Sequence, residues 1–194
     1  MKNKETAVLI LAAGASKRLG KPKQQLVFKE QTLLNRIIET AKELASGPVL
    51  VVQADHVERL EQEGIISLSN SKWEEGMASS IHCGIDRLVS DYPTVDKLII
   101  TVCDQPFITA ELFKEMIDLQ MRTNQPMIAC KYADTIGTPV LFHQSVFGEL
   151  MALSGDKGAR QLLKKDAQRV GLVNFPLGSI DIDTTEDYEG LIKL

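Results

Sequence analysis

The residues best suited to chemistry lie in "LILAAGASKRLGKPK", residues 9–23. An apolar run ends in small residues, and Lys17, Arg18, Lys21 and Lys23 follow within nine positions of Gly14. Small residues at a turn let a phosphate approach the backbone, where successive N–H groups donate to it. Cations beyond the turn can reach the more distant phosphates of a polyphosphate. An ordinary strand-to-helix turn with solvated cations would use the same residues. Two familiar phosphate loops are excluded. A P-loop needs G-x-x-x-x-G-K-[ST], but the span from Gly14 to Gly20 is one residue too long and Pro22 follows Lys21. The dinucleotide fingerprint G-x-G-x-x-G is absent. Pro22 biases Lys21 away from helix, so residues 21–23 read as an extended arm carrying Lys23 across a site.

Carboxylates form the second group. Asp104 follows the apolar run Leu98–Cys103, where a buried strand would emerge. A carboxylate there suits Mg²⁺, which takes one or two carboxylates together with waters and phosphate oxygens; a turn Asp before Pro106 would look alike. Asp181 and Asp183 lie two apart on an alternating run, so both point to one face. They also read as a charge cluster ahead of the last helix. Gly76 to Ser80 opens a helix with small and hydroxyl residues, whose free N–H groups and oxygens could meet a base or a phosphate. Gly155-Asp156-Lys157-Gly158-Ala159-Arg160 puts two glycines and two cations at another helix start, a second candidate anion site or a surface loop. Gly137-Thr138-Pro139 is most simply a strand entry. Trp73, the only tryptophan, reads as core, and Cys103 as a small buried hydrophobe.

These groups need elements to hold them. Ala7–Ala12, Val49–Gln53, Leu98–Cys103, Met127–Cys130 and Val140–Phe142 read as strands buried on both faces, with Val170–Phe175 as a further one. Leu33, Leu34, Ile37, Ile38, Ala41 and Leu44 recur at helical spacing, as do Ile81, Ile85 and Leu88. Asp55 is expected to cap a helix to about Gln62, and Thr109 one through Leu119. Helices are expected over Gln144–Leu153 and from Gly155 through Lys165, with Thr184 capping a last one. Alternation of this kind implies an α/β fold with a mostly parallel sheet and helices on both faces.

The 194 residues are 44% hydrophobic and 25% charged, ordinary globular usage that reads as one domain, residues 1–194, with no repeats or long linker. A net charge of −4 argues against a protein dedicated to nucleic-acid backbones. No stretch is long and apolar enough for a membrane span, and Ala7 to Leu11 is too short for the core of a signal peptide. Three cysteines, far apart and without C-x-x-C, exclude a conventional zinc knuckle and argue against a disulfide framework. The expectation is a soluble cytoplasmic protein.

The stretch "LAAGASKRLGKPKQQL" resembles the L-A-[AG]-G-x-[ST]-x-R-[ML]-G-x-x-K-x-L signature of the MobA-like nucleotidyltransferases. Residues 73–81, 103–106, 137–142, 155–160 and 181–184 resemble further motifs of that superfamily in the expected order, and within it those of the molybdenum cofactor cytidylyltransferase branch. The resemblance implies a three-layer Rossmann-like fold whose N-terminal half binds nucleotide and whose C-terminal half binds an acceptor. It implies that Leu11, Ala12, Ala13, Gly14, Ala15, Ser16, Arg18, Lys23, Gly76 and Ser79 contact the nucleotide, with Arg18, Lys23 and Asp104 catalytic. Asp104 and Asp183 would hold Mg²⁺ or Mn²⁺, with Asp181 facing the same way. Gly137, Pro139, Gly155, Asp156, Gly158, Ala159 and Arg160 would meet the acceptor. Lys17 and Lys21 are left as surface charges.

Joined together, these parts imply nucleotidyl transfer: an acceptor phosphate attacks the α-phosphorus of a nucleoside triphosphate and pyrophosphate leaves. A phosphate monoester is already anionic near neutral pH, so no side-chain base is needed, and the chain shows no His or Ser/Cys catalytic pair. What the reaction needs is positioning and charge neutralisation. Ala13 stands where guanylyl members carry Gly; its methyl crowds a purine more than a pyrimidine, which favours CTP over GTP. The acceptor implied is Mo-molybdopterin, with a molybdoenzyme as a receiver of the product. The alternatives are a related nucleotidyltransferase that uses GTP or a sugar-phosphate acceptor, and a non-catalytic chaperone that carries the cofactor.

Overall fold

The structure is a computed structural model describing residues 5–14, 19–20 and 22–193, with the backbone alone at Lys157. Its centre is a seven-stranded sheet. The strands are β1 (Glu5–Leu11), β4 (Val49–Ala54), β5 (Ile66–Asn70), β6 (Val95–Val102), β7 (Met127–Tyr132), β8 (Thr135–His143) and β9 (Val170–Asn174). A small hairpin of β2 (Val27–Phe28) and β3 (Gln31–Thr32) stands apart. The order across the sheet is β5-β4-β1-β6-β8-β7-β9. All pairs are parallel except those of β8, which runs antiparallel to both β6 and β7.

The sheet is buried on both faces, which explains why its central strands read as continuous apolar runs rather than alternating ones. Ala7, Leu9 and Leu11 of β1 face α2 (Met77–Asp91), α4 (Phe147–Met151) and α5 (Arg160–Lys165). Val8 and Ile10 face α1 (Leu33–Leu44) and α3 (Ala110–Thr123). Gly84 lets α2 settle directly on β1, because an added Cβ there would lie 2.5 Å from the Leu9 side chain. A third cluster packs α6 (Thr185–Leu191) and Ile182 against the β2–β3 hairpin and Leu33.

The expected caps form at Thr109, whose side chain accepts from Leu112 N, and at Thr184, which makes a full capping box with Asp187. The helix expected after Asp55 does not form; residues 55–62 are a turn and irregular chain. Its apolar content is only Val57 and Leu60, too little to make a buried stripe. The expected helix over Gln144–Leu153 is a 3₁₀ turn followed by the short α4, and that from Gly155 is a 3₁₀ turn followed by α5. Residues 23–25 form one 3₁₀ turn instead of a continued extended arm. No helix among the described residues is long and apolar enough to cross a membrane.

From β1 the chain progresses outward in one direction through β4 and β5, and from β6 in the other, so the crevice lies beyond the carboxyl ends of β1 and β6. In open α/β sheets that switch point is where ligands bind.

Candidate active site

Three chain segments meet in that crevice. Beyond β1, Ala12 to Gly14 lie without regular structure, and beyond β6, Cys103 and Asp104 emerge. The third segment, residues 180–183, is drawn alongside by the Ile182 N–H, which donates to the Asp104 carbonyl at 3.0 Å. Ile182 is fully buried, so the flanking Asp181 and Asp183 turn the other way. Gln24 fixes the turn that carries Lys23, its side-chain amide donating to the Ala12 carbonyl at 3.4 Å.

The convergence brings one cation to two carboxylates. Lys23 Nζ donates to Asp104 Oδ2 at 2.9 Å and also to Asp183 Oδ1. Burial alone would lower the Lys23 pKa, but the charges and hydrogen bonds of Asp104 and Asp183 outweigh it and leave it raised. Asp181 is pushed upward, first by burial and then by the carboxylates of Asp183 and Asp104. The pair that shares a point is thus Asp104 with Asp183, and they are the residues able to converge on a metal ion. Among the described residues there is no cluster of three or more His, Cys, Asp or Glu, so such an ion would draw its remaining ligands from water or substrate.

A cavity of about 520 Å³ opens from this cluster. Ala12, Ala13 and Gly14 line one side, and Trp73, Gly76, Met77 and Ser80 at the start of α2 line the other. Gly76 has φ +104°, the region that favours glycine. A Cβ there would lie 2.5 Å from the Gly155 carbonyl carbon and 2.6 Å from Asp156 Oδ1. The Gly155–Gly158 turn is therefore seated directly on the start of α2, and Asp156 reaches the cavity wall.

The family described as MobA-like NTP transferase domain matches residues 8–170. The chain belongs to this family. Purine catabolism protein PucB of Bacillus subtilis is 27% identical over 93% of each chain. The molybdenum cofactor cytidylyltransferase of Escherichia coli is 24% identical over 93% of this chain and 92% of its own length. Among solved structures, Rv0371c of Mycobacterium tuberculosis superposes with a TM-score of 0.81 at 26% identity, each chain fully covered. A complex of Rv0371C with manganese superposes with a TM-score of 0.76 at 23% identity, over 98% of this chain and 99% of the other.

In this MobA-like domain the expected site residues divide into groups. Leu11, Ala12, Ala13, Gly14, Lys23, Gly76, Asp104, Asp156 and Asp183 all line the one cavity. Ala15, Ser16 and Arg18, with Lys17 and Lys21, lie outside the described residues. Ser79 does not face the cavity: its hydroxyl donates to the Gly76 carbonyl at 2.9 Å and accepts from Asn70. Ser80 lines the cavity in its place. Gly158 is backed against Met77, and Ala159 is buried in the core. Gly137 and Pro139 lie within β8, away from the cavity wall, with Gly137 against the Tyr132 hydroxyl. Arg160 acts electrostatically on that same Tyr132.

Sequence reasoning missed Gln24, singled out the stretch Gly76 to Ser80 but chose Ser79 over Ser80 within it, and misread Trp73. The indole lines the cavity and stands 5.0 Å from the His56 ring, in tilted contact, so it is half-exposed wall and not core. Its position three residues before a helix-opening glycine was the available signal.

Proposed function

We propose that this MobA-like nucleotidyltransferase moves a cytidylyl group from CTP onto the phosphate of Mo-molybdopterin and releases pyrophosphate. The observation that carries this reading is the meeting of Lys23, Asp104 and Asp183 at the mouth of a cavity walled by the backbone of residues 12–14. In this reading the N–H groups of Ala13 and Gly14, with those of Ala15 and Ser16 next in the sequence, take the triphosphate, while that of Ala12 is already given to the Val52 carbonyl. Lys23 and Arg18 neutralise the charge that grows on the leaving pyrophosphate. The acceptor phosphate attacks as the anion it already is, so the chain's task is alignment and charge neutralisation.

Two carboxylates already converging on one ammonium are a donor set that fits Mg²⁺ or Mn²⁺, and the manganese complex of a relative supports the same choice. Bound by Asp104 and Asp183, the ion would supply Lewis-acid neutralisation of phosphate oxygens. Ala13 at the cavity wall and the similarity to a cytidylyltransferase support CTP over GTP. In this reading residues 1–194 act as one domain, the nucleotide held by its first half and the acceptor beside Asp156 of the 155–160 turn, which lines the cavity. The protein works in the cytoplasm, where Cys83, Cys103 and Cys130 stay reduced, and passes its product to a molybdoenzyme. Pyrophosphate release from CTP and from GTP, each with Mo-molybdopterin and Mg²⁺, tests it. Release that depends on CTP and on the acceptor is expected; release only with GTP, or only with sugar phosphates, would replace the proposed substrates.

A further inference from the structure

Asn70, the last residue of β5, is 5% exposed and holds three polar neighbours. Its Oδ1 accepts from the Lys72 backbone N–H at 2.9 Å, which fixes the orientation of the amide. Nδ2 must then face the start of α2, and it donates to Ser79 Oγ at 2.8 Å and Ser80 Oγ at 3.0 Å. Both hydroxyls are thereby acceptors toward Asn70 and must place their own protons elsewhere. Ser79 donates to the Gly76 carbonyl. Ser80, 4% exposed and on the cavity wall, has no acceptor for its proton among the described residues.

We propose that Asn70 is a positioning residue for base binding: through Ser80 it makes the cavity wall a hydrogen-bond donor toward an acceptor atom of the base. This inference rests on the cavity being a nucleotide site. Cytosine offers N3 and O2 as acceptors on its pairing edge. An Asp at position 70 would accept from Lys72 N and from both serines, turning the Ser80 oxygen toward the cavity as an acceptor. A cytosine acceptor would then meet a second acceptor, and a buried polar group left unmatched weakens binding by about tenfold.

The test is calorimetric binding of CTP and of inorganic tripolyphosphate, with Mg²⁺, to wild type, Asn70→Asp, Ser80→Ala and the double variant. Asn70→Asp is expected to weaken CTP about tenfold while tripolyphosphate, which lacks a base, stays within about twofold. In the Ser80→Ala background the same substitution should cost nothing further, since the two act through one hydroxyl. Equal weakening of both ligands, an undiminished effect without Ser80, or unchanged CTP binding would each overturn the inference. Should Asn70→Asp not fold, Asn70→Ala is read in the same paired design, with a loss of CTP binding that vanishes in the Ser80→Ala background. A wild type that binds tripolyphosphate but not CTP overturns the base assignment and this inference with it. One that binds neither ligand contradicts the functional reading itself.

Discussion

The Lys23 ammonium lies 2.9 Å from Asp104 Oδ2, joining residues 81 positions apart at the mouth of the cavity. Asp183, a further contact of the same ammonium, comes from the far end of the chain. The site therefore exists only once the sheet has formed and residues 180–183 have docked beside Asp104.

Lys23→Ala should lower turnover by about two to three orders of magnitude, the range seen when one preorganised charge partner of a transition state is removed. The far-ultraviolet circular dichroism should be unchanged, because β1, β6 and α6 are held by core contacts that do not involve the lysine. A variant with normal turnover would remove Lys23 from the mechanism.

Asp104→Asn and Asp183→Asn should each raise the Mn²⁺ concentration needed for half-maximal activity by tenfold or more. Asp181→Asn should have a smaller effect, since Asp183 and not Asp181 meets Asp104 across the Lys23 ammonium. A metal titration of the three variants separates the two aspartates, which sequence alone leaves on one face.

Thr184→Ala removes the capping box that follows Asp183 directly. The loss is expected to be about 1 kcal/mol, read as a fall of roughly 2–4 °C in melting temperature for a chain of this size. The Asp183 N–H also donates to Asp187 Oδ2, at 3.1 Å, so the same variant should weaken metal affinity.

Gly76→Ala forces a φ of +104° on a residue with a Cβ and drives that Cβ into Gly155 and Asp156. Strain of that kind costs about 1–3 kcal/mol before the overlap is relieved. Both thermal stability and CTP affinity should fall together, and an unaffected melting curve would contradict the seating of the Gly155–Gly158 turn on α2.

Burial, and then the nearby Glu115 carboxylate, push the Cys130 thiol up from its ordinary value near 9.0 to about 12. The folded state thus keeps a proton that the unfolded chain releases. This part of the stability is complete below about pH 9 and declines as the pH rises toward 12. Denaturation midpoints across that range should show the decline, and Cys130→Ser should lessen it, Cys103, also pushed up to about 12 by burial, carrying a share of its own. At pH 8 the native thiol should resist alkylating reagents.

Much of this was legible because buried strands in a parallel sheet carry near-continuous apolar runs, and Ala7–Ala12 and Leu98–Cys103 do. Strand β5 was readable in principle from the alternation in Ile66-Ser67-Leu68-Ser69-Asn70, but it is short and half-buried. The hairpin of β2 and β3 was not. Its turn places Lys29 at φ 49° and Glu30 at φ 67°, and neither residue type signals that conformation. Spacing could find the serines at the start of α2, yet not which one lines the cavity. That depends on how α2 begins and packs: Ser79 turns back to the Gly76 carbonyl, while Ser80 reaches the cavity wall.

The most direct measurement is the mass of the product formed from CTP and Mo-molybdopterin with Mg²⁺. A gain of one cytidylyl group on the acceptor, with one pyrophosphate released per product and none formed by Lys23→Ala, is the predicted result. Recovery of unmodified acceptor, with CTP intact and the wild-type protein folded, would contradict it.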